Sequence, residues 1–526
     1  MNLASRFVDL LGAQGRRIAI REPGGRTVTY DALRRQIIGL IADLKRRGFK
    51  RGDPAVIQAP NGIAFVAATV AVAALGGSSV MCEPGLGDDI YRARIAAAHP
   101  KWVIVHPIVA WANRIPGARR LLARREVFVP PLLPDTADLR RVMVSAKTLA
   151  RIEAAPHEAA YVEDVAGTDD VSIIFTGGTT SSPKGVRLSH DAVVKAMANI
   201  AAIAVRNPGR TFIADTPQQT LYGLALGQEV LVTRGRIERR AAMVRGLIEA
   251  NQADSYFGSP FLWMEMMQQA GAGRSRLPAS LKAVFLGGAP VTPEFLRTLR
   301  DWLHPDTAVM AIYGMTEAAA VAIATAEEKL AWTGEGDFVG RLMPGVTATT
   351  DESGEIVIDS PSLFTGYTGQ PDRPPGGGFA TGDLGRVVDH NGAPALVLLG
   401  RAKDMIIRAG VNIYPATLEA GLRAVTGSDG RRLLRDAALV GLWDDRTQDE
   451  VVVLCWQPMA DTIVDEAQLA RRIETVTGGD ARPDFLLKVD PMPVTGRQNK
   501  VDKVALRAMA AARFGLGQAP RHMNRA

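Results

Sequence analysis

Hydrophobic residues near the N-terminus follow helical spacing first and strand-like runs afterwards. Apolar positions recur at helical spacing between Thr29, which suits an N-cap, and Gly48, which suits a helix end: Leu33, Ile37, Ile41 and Leu44. β-favouring runs at 54–59 and 78–81 then flank an apolar stretch at 63–75. This stretch is shorter than the roughly 20 residues that cross a bilayer, so it predicts a buried helix. Strand–helix–strand units of this kind predict an α/β fold with parallel sheets.

The pattern changes near residue 400. Segment 366–378, GYTGQPDRPPGGG, is too rich in glycine and proline for a helix or a sheet and predicts a loop. Further along the chain, one helix is predicted at 466–476 and strands are predicted at 437–442, 451–456 and 485–489. We therefore predict a large multi-layer N-terminal domain with parallel sheets over 1–401 and a small α+β domain over 402–526.

Composition and charge narrow the class of protein. The chain has 526 residues, of which 47% are hydrophobic and 22% are charged, and these values argue against disordered and fibrous proteins. The net charge of +7 is modest for this length. Arginine clusters at 119–125 and 234–240 would suit a nucleic-acid or membrane surface, but solvated faces explain them as well. We predict no nucleic-acid partner.

Cysteine usage and the N-terminal segment favour a cytoplasmic protein. Cys82 and Cys455 stand far apart in apolar runs, so neither a disulfide framework nor a cysteine-rich metal site is predicted. Charged residues interrupt the first twenty positions, which argues against a secretory signal. No apolar run is long enough for a transmembrane segment.

A loop rich in glycine and hydroxyl groups follows the β-favouring run 172–175. Segment 176–185 reads TGGTTSSPKG, in which the glycines allow close backbone approach, the hydroxyls supply donors and Lys184 supplies positive charge. These properties predict a phosphate-binding loop, although a polar turn has a similar composition. The loop is not a Walker A motif, because Gly185 follows Lys184 where that motif has Ser or Thr.

The segment 175–186 resembles the signature loop of the adenylate-forming superfamily, which includes acyl-CoA synthetases, firefly-type luciferases and peptide-synthetase adenylation domains. Family members usually have Ser or Thr where Gly177 stands and Gly where Ser181 stands. The family's other motifs follow in the family order: GGAP at 287–290, YGMTE at 313–317, TGD at 381–383, GR at 400–401 and PVTGRQNK at 493–500. On this resemblance the chain is identified as an adenylate-forming enzyme of the acyl-CoA synthetase type.

The resemblance implies a role for each motif. Contacts to ATP or AMP are expected from Thr176, Gly178, Thr179, Thr180, Lys184, Gly288, Ala289, Pro290, Tyr313, Gly314, Met315, Thr316, Asp383 and Arg401. Thr176 and Glu317 are expected to bind Mg²⁺ and, together with Lys500, to be catalytic. The small domain is expected to be mobile, with its hinge at Lys403 and the tunnel for the acceptor thiol at Gly410.

The position of the catalytic lysine departs from the family pattern. Family members usually place glycine directly before this lysine, whereas Asn499 precedes Lys500, and the spacing from Pro493 is shifted by one residue. Asparagine tolerates positive φ better than most residues, so the exchange is physically mild. Lys503 is the competing residue, and we favour Lys500.

The resemblance also implies a pocket for the acyl group, lined by Tyr222, Gly223, Gly258 and Leu286. The segments that carry these residues hold no charged side chain, so an apolar acyl or aryl acid is expected instead of an amino acid, whose ammonium would need a carboxylate. Gln219 and Thr220 replace an aromatic–histidine pair that many acyl-CoA synthetases have. In this departure and in the turn at 83–85 the chain also resembles enzymes that form β-lactones.

The predicted reaction is ATP-dependent activation of a carboxylic acid, fatty or otherwise apolar, followed by transfer of the acyl group to coenzyme A. Loading of an acyl carrier protein, β-lactone formation and a degenerate non-catalytic member stay open as alternatives. The seven histidines are scattered along the sequence, and the sequence has no zinc-protease histidine pair, nucleophile elbow or dinucleotide-binding glycine motif. Hydrolase and dehydrogenase chemistry would therefore lack its catalytic or cofactor-binding residues.

Overall fold

The structure is a computed structural model that describes most of the chain. It covers residues 2–82, 88–119, 122, 130–131, 133, 139–155, 158–175, 184–204, 209–271, 273, 275–374, 376–409, 411–427, 429–460, 462, 464–477, 481–495 and 500–517. Several predicted site residues lie outside these ranges: Thr176, Gly178, Thr179, Thr180 and Gly410.

The described helices are, in chain order, α1 (Leu3–Gln14), α2 (Tyr30–Arg46), α3 (Ile63–Ala74), α4 (Asp88–Ala97), α5 (Pro107–Arg114), α6 (Ala146–Arg151), α7 (His190–Ala204), α8 (Pro217–Ala225), α9 (Ile237–Glu249), α10 (Pro260–Ala270), α11 (Pro293–Trp302), α12 (Ala326–Ala331), α13 (Pro415–Arg423), α14 (Glu466–Thr477) and α15 (Lys503–Phe514). A 3-10 turn spans Ala402–Asp404.

The described strands are β1 (Ile18–Arg21), β2 (Thr27–Thr29), β3 (Pro54–Gln58), β4 (Ser78–Cys82), β5 (Trp102–Val105), β6 (Arg140–Met143), β7 (Asp170–Phe175), β8 (Gly185–Ser189), β9 (Thr211–Ala214), β10 (Glu229–Val232), β11 (Ser255–Gly258), β12 (Ala283–Gly287), β13 (Ala308–Met315), β14 (Ala319–Thr325), β15 (Asp337–Leu342), β16 (Thr347–Thr350), β17 (Glu355–Asp359), β18 (Gly366–Tyr367), β19 (Phe379–His390), β20 (Ala393–Arg401), β21 (Ile406–Arg408), β22 (Val411–Ile413), β23 (Leu434–Asp444), β24 (Asp449–Pro458), β25 (Phe485–Lys488), β26 (Val494–Thr495) and β27 (Lys500–Val501).

Short capping motifs in the sequence explain where several helices begin. Thr216, Ser259 and Thr292 each precede a proline, and each side-chain oxygen accepts a hydrogen bond from the backbone N–H three residues later. Proline suits the first helical turn because its missing N–H would have no helical partner there. Thr29 caps α2 in the same way, through the backbone N–H of Ala32, which confirms the predicted start of that helix.

Contacts divide the chain into two compact units. The first contains Met1–Ala326, Met343–Val346 and Ser360–Gly377, and the second contains Glu327–Leu342, Thr347–Asp359 and Gly378–Ala526. The predicted boundary at 401/402 lies inside the second unit and stays a prediction.

The first unit contains two largely parallel sheets. In one sheet the strand order is β2-β1-β10-β9-β11-β12-β13-β14, with β2 and β14 antiparallel to their neighbours. In the other the order is β18-β8-β7-β4-β3-β5-β6, where β8 and β18 are antiparallel. The apolar helix α3 is almost fully buried, as its hydrophobic sequence predicts. The predicted α/β class with parallel sheets is confirmed.

The second unit contains an antiparallel sheet of order β16-β17-β19-β20-β15 and a smaller sheet of order β23-β24-β25. Apolar clusters cover β23 and β24: one includes Leu439 and Leu454, and the other includes Val440 and Val453. Strands β23 to β25 and helix α14 lie where the sequence predicts them.

The prediction that 366–378 forms only a loop is wrong at its start. Gly366 and Tyr367 form strand β18, which pairs with Arg187 and Val186 of β8. Strand pairing depends on the neighbouring strand, so it overrides the low β-propensity of a segment rich in glycine and proline. No helix within the described ranges is both long and apolar enough to cross a lipid bilayer.

Candidate active site

Predicted site residues of the first unit lie where its parallel strands end. Strand β11 ends at Gly258, β12 ends at Gly287 and β13 ends at Met315. The parallel register pairs Gly258 with Leu286, and Gly287 with Ile312. Because these carboxyl ends meet at one edge of the sheet, the GGAP and YGMTE motifs lie side by side. Ligands in open α/β sheets bind at this edge.

A tight turn presents Thr316 and Glu317 between β13 and β14. The register shifts at Gly314, where a Cβ atom would lie 2.1 Å from the backbone oxygen of Ala319. Ala319 itself has a positive φ of 57°. Only glycine can therefore stand at position 314 without displacing the turn, which gives a structural reason for this residue in the motif.

Glu317 is half-buried and is held by two contacts from the same segment. Its backbone oxygen accepts a hydrogen bond from Phe364 N at 2.7 Å. Its Oε1 atom accepts one from the hydroxyl of Tyr367 at 3.0 Å. Burial and the neighbouring carboxylate raise the pKa of Tyr367, so the phenol is a neutral donor at physiological pH. Tyr367 is not among the site residues predicted from the sequence, although an aromatic residue within a segment of glycines and prolines is a signal that could have pointed to it.

Lys184 is the predicted loop residue that the structure describes. Its Nζ atom lies 5.7 Å from the centroid of the Tyr367 ring. Gly185 follows in strand β8, and a Cβ atom there would lie 2.8 Å from the Phe175 ring, so this end of the loop is tightly packed. Lys184 and Glu317, which are far apart in sequence, thus both contact Tyr367.

Asp383 and Arg401 face each other across strands β19 and β20. Their backbones are register partners, and Arg401 Nε lies 2.7 Å from Asp383 Oδ1. Asp383 is buried, and the hydroxyl of Thr381 donates to the oxygen of Ile356 at 2.9 Å directly beside it. The structure therefore brings together the two residues that the sequence pairs as ribose contacts.

Lys500 and Lys503 differ in their surroundings. The residue Lys500 is exposed overall. Desolvation by the surrounding protein lowers the pKa of its ammonium group, and the positive charge of Arg401 lowers it further, while the carboxylate of Asp383 opposes the shift. Lys503 forms an ion pair with Glu419, with Nζ 2.6 Å from Oε1, and both side chains are largely buried. This pairing supports Lys500 as the reactive lysine, because the charge of Lys503 is already used inside the small domain.

The predicted hinge residue Lys403 is exposed and lies in the 3-10 turn between β20 and β21. The next residue, Asp404, forms an ion pair of 2.9 Å with Arg507, which also donates to the backbone oxygen of Lys403. The residues around Lys403 are therefore tied to helix α15, which follows Lys500 directly.

The predicted acyl-pocket residues lie at the ends of neighbouring strands. Gly258 and Leu286 are register partners, and α8, which carries Tyr222 and Gly223, begins after the adjacent strand β9. A Cβ atom on Gly223 would lie 2.8 Å from Val230, so glycine lets this helix pack closely on the sheet. Burial raises the pKa of the Tyr222 phenol.

Sequence reasoning missed a buried polar network at the end of β9. Asp215 and Arg240 are both buried and lie 3.7 Å apart. Gln219 accepts from the backbone N–H of Asp215 at 2.9 Å and donates to the oxygen of Phe257 at 3.2 Å. A solvated face, one of the explanations offered for the arginine cluster at 234–240, does not apply to Arg240, since that side chain is buried beside Asp215. An acidic residue at the end of an apolar strand was the available signal.

The carboxylate of Glu317 fits a magnesium ion that arrives with phosphates. No group of three or more His, Cys, Asp or Glu side chains that could hold a metal occurs in the described part of the chain. Mg²⁺ bound to a nucleotide needs only one or two protein carboxylates, because phosphates and water complete its shell. Tyr367 engages Oε1 of Glu317, and no described residue hydrogen-bonds to the other carboxylate oxygen.

Comparison with known proteins settles the family. The sequence profile described as "AMP-binding enzyme" matches residues 11–368. The chain belongs to the AMP-binding enzyme family. The predictions of an adenylate-forming family and of an enzyme of the AMP-forming acid–thiol ligase class are thereby confirmed.

Relatives of this family member resemble it over most of their length. A 2-succinylbenzoate–CoA ligase from Geobacillus sp. (strain WCH70) is 26% identical, with 83% of each chain covered. A feruloyl-CoA synthase from Amycolatopsis sp. is 26% identical, over 90% of this chain and 92% of the relative. The structure of amide bond synthetase McbA from Marinactinospora thermotolerans superposes with a TM-score of 0.76 at 26% identity, covering 96% of this chain and 99% of that one. The fold of a large N-terminal and a small C-terminal domain agrees with this superposition.

Proposed function

We propose that this AMP-binding enzyme joins an apolar carboxylic acid to coenzyme A in two steps. The acid carboxylate attacks the α-phosphorus of ATP, which forms the acyl adenylate and releases pyrophosphate. The thiolate of coenzyme A then attacks the acyl carbonyl, which forms the thioester and releases AMP. The observation that carries the proposal is the meeting of the GGAP and YGMTE motifs at the carboxyl edge of the parallel sheet. The two relatives above, named 2-succinylbenzoate–CoA ligase and feruloyl-CoA synthase, support coenzyme A as the acceptor.

The first unit supplies groups for the phosphates. Lys184 and the hydroxyl and backbone groups of the loop would hold the leaving pyrophosphate, through Thr176, Gly178, Thr179 and Thr180. Glu317 and Thr176 would hold Mg²⁺, which when bound neutralises part of the phosphate charge. Thr316 would contact the α-phosphate, since it shares the turn with Glu317.

The base and the ribose of ATP would be bound by two different groups of residues, 288–290 with 313–315 for the base and Asp383 with Arg401 for the ribose. Gly288, Ala289 and Pro290 would lie against the flat base, for which Gly288 leaves room because it has no side chain, and Tyr313, Gly314 and Met315 end the neighbouring strand β13. Asp383 would accept hydrogen bonds from the ribose hydroxyls, with Arg401 fixing its carboxylate.

Lys500 would supply positive charge for the carboxylate and the α-phosphate in the first step. This contribution is electrostatic, and such groups act by being positioned before charge develops. In the second step the small domain would turn at Lys403, which withdraws Lys500 and brings the Gly410 loop to the thiol tunnel. Positive charges at Lys500, Arg401 and Lys403 suit polyanionic substrates.

The acid is proposed to be a fatty, aryl or other apolar acid. Gly258 and Leu286 carry no charge and lie side by side, buried, at the ends of β11 and β12. The nearby carboxylate of Asp215 is paired with Arg240, so it does not call for an ammonium group on the substrate.

Exchange of labelled pyrophosphate into ATP tests the first step. The protein is mixed with ATP, Mg²⁺ and a panel of fatty, aryl, β-hydroxy and amino acids, with the Glu317→Gln variant as control. We expect exchange with one apolar class and a strong loss in the variant. Absence of exchange with every acid would favour a non-catalytic family member.

Identification of the product by mass spectrometry tests the second step. Coenzyme A is expected to yield a thioester. Acylation of a carrier protein but not of coenzyme A would support the carrier-loading alternative. A β-lactone formed without an acceptor would support the alternative of β-lactone synthesis. Because the superposed McbA structure is named an amide bond synthetase, amines form one arm of the assay, and an amide product would make amide synthesis the function.

A further inference from the structure

One segment, residues 362–368, contacts the turn that carries Glu317. Phe364 N donates to the backbone oxygen of Glu317 at 2.7 Å. Ser362 Oγ donates to the backbone oxygen of Ala318 at 2.8 Å. Ser362 and Phe364 are both buried, so these hydrogen bonds are protected from water and hold the turn firmly.

The same segment is bound to the strand that ends the predicted phosphate loop. Tyr367 pairs with Val186 in the antiparallel register of β18 and β8. Thr368 bonds Gly185 twice: its backbone N–H donates to the glycine oxygen at 2.8 Å, and its hydroxyl accepts from the glycine N–H at 3.0 Å. Residues 362–368 therefore connect the two parts of the first unit that are expected to share the nucleotide phosphates.

The side chain of Tyr367 makes this connection directly. Its hydroxyl donates to Oε1 of Glu317 at 3.0 Å, and its ring centroid lies 5.7 Å from Lys184 Nζ. The ring also packs on Phe364, with centroids 4.8 Å apart, which limits its rotation. A cation at this distance from a phenol ring is attracted to it.

We propose that Tyr367 is a positioning residue that orients the Glu317 carboxylate for the magnesium ion carried by ATP. The hydroxyl engages one carboxylate oxygen and so turns the other outward, where it can reach a cation. Groups that hold a metal ligand in place contribute substantially to metal affinity. The inference rests on the proposed function, since it assumes that ATP is a substrate.

Calorimetric titration with nucleotide, in the absence of any acid, tests the role without relying on turnover. Tyr367→Phe removes the hydroxyl but keeps the ring. Tyr161→Phe is a matched control, because Tyr161 also donates to a glutamate, Glu163, and has a lysine over its ring, with Lys45 Nζ 3.0 Å from the centroid. We expect Tyr367→Phe to weaken binding of Mg²⁺–ATP about tenfold, in line with loss of a hydrogen bond to a charged group. Binding of ATP in EDTA should stay within about twofold, and Tyr161→Phe should match the wild type in both titrations.

A double-mutant cycle separates positioning from a general effect on folding. If Tyr367 acts through Glu317, then Tyr367→Phe should change Mg²⁺–ATP affinity little when Glu317 is already glutamine. Equal Mg²⁺–ATP affinity of wild type and Tyr367→Phe would overturn the positioning role. An equal loss for ATP with and without metal would also overturn it, since the effect would then not pass through the metal. Failure of the wild type to bind Mg²⁺–ATP at all would instead overturn the proposed function.

Discussion

The two lysines near the C-terminus should separate stability from catalysis when each is replaced. Lys503→Met removes a charge that lies against Glu419 at 2.6 Å, with the two side chains 15% and 11% exposed. Lys500→Ala removes an exposed charge that forms no ion pair with a described residue. We expect the first variant to be unstable but active and the second to be stable but inactive in adenylation.

The size of each effect follows from these surroundings. Without Lys503 the carboxylate of Glu419 stays buried, and among the described residues the N–H of Leu439, at 3.0 Å, is the hydrogen-bond donor left to it. An uncompensated buried charge costs about 3 kcal/mol at the lower end of the usual range, and the residual exposure of the pair favours this lower end. For a folded unit of about 150–250 residues, the size range of the second unit, that corresponds to a melting temperature roughly 6–12 °C lower. Loss of Lys500 should cost about 100- to 1,000-fold in the adenylation rate, with stability changed by less than about 0.5 kcal/mol.

Thermal unfolding and pyrophosphate exchange at 20 °C measure the two quantities separately. Adding Glu419→Gln to Lys503→Met should restore much of the lost stability, because it removes the unpaired charge while keeping an acceptor for Leu439. Lys500→Ala should still convert supplied acyl adenylate to thioester, since that step does not use the lysine. Full exchange activity in Lys500→Ala, or loss of exchange in a Lys503→Met protein of unchanged stability, would refute the assignment.

Three further predictions concern pH, the turn and the sheet. Because the pKa of Lys500 is lowered, its positive charge is lost at a pH below the ordinary lysine pKa of about 10.4. The rate of pyrophosphate exchange should therefore fall as the pH rises through that lower value. Lys500→Arg should abolish this fall, because arginine keeps its charge. Gly314→Ala should destabilise the protein by about 1–3 kcal/mol and slow pyrophosphate exchange, because the added Cβ atom would lie 2.1 Å from the backbone oxygen of Ala319. Gly246→Ala is the control: its Cβ atom would lie in open space, so neither thermal stability nor exchange should change. Arg187→Met should lower the free energy of unfolding by about 1–2 kcal/mol at pH 7, because it leaves the carboxylate of Asp170, 2.6 Å from Arg187, without its partner. The loss should be smaller at pH 5, because burial raises the pKa of Asp170 and protonation can then neutralise the carboxylate. A larger loss at pH 5 than at pH 7 in thermal unfolding would contradict this.

The sequence by itself determined much of the local secondary structure and the order of the motifs. Thr216, Ser259 and Thr292 before proline mark helix starts, and the largely apolar run at 63–75 marks a buried helix. These features depend on interactions within a few residues, which a sequence displays directly. The resemblance of the motifs to those of the adenylate-forming superfamily was likewise sufficient for the family and for the general reaction class.

Only the tertiary structure decided which of those residues meet. Tyr367 and Glu317 are separated by 50 positions, and their contact depends on the pairing of β18 with β8 and on the turn after β13. The ion pair of Lys503 with Glu419 likewise joins two helices of the small domain, and it distinguishes this lysine from Lys500. A residue's charge and size are local properties, but its burial and partners are set by strand pairing and packing between distant segments, which no short stretch of sequence contains.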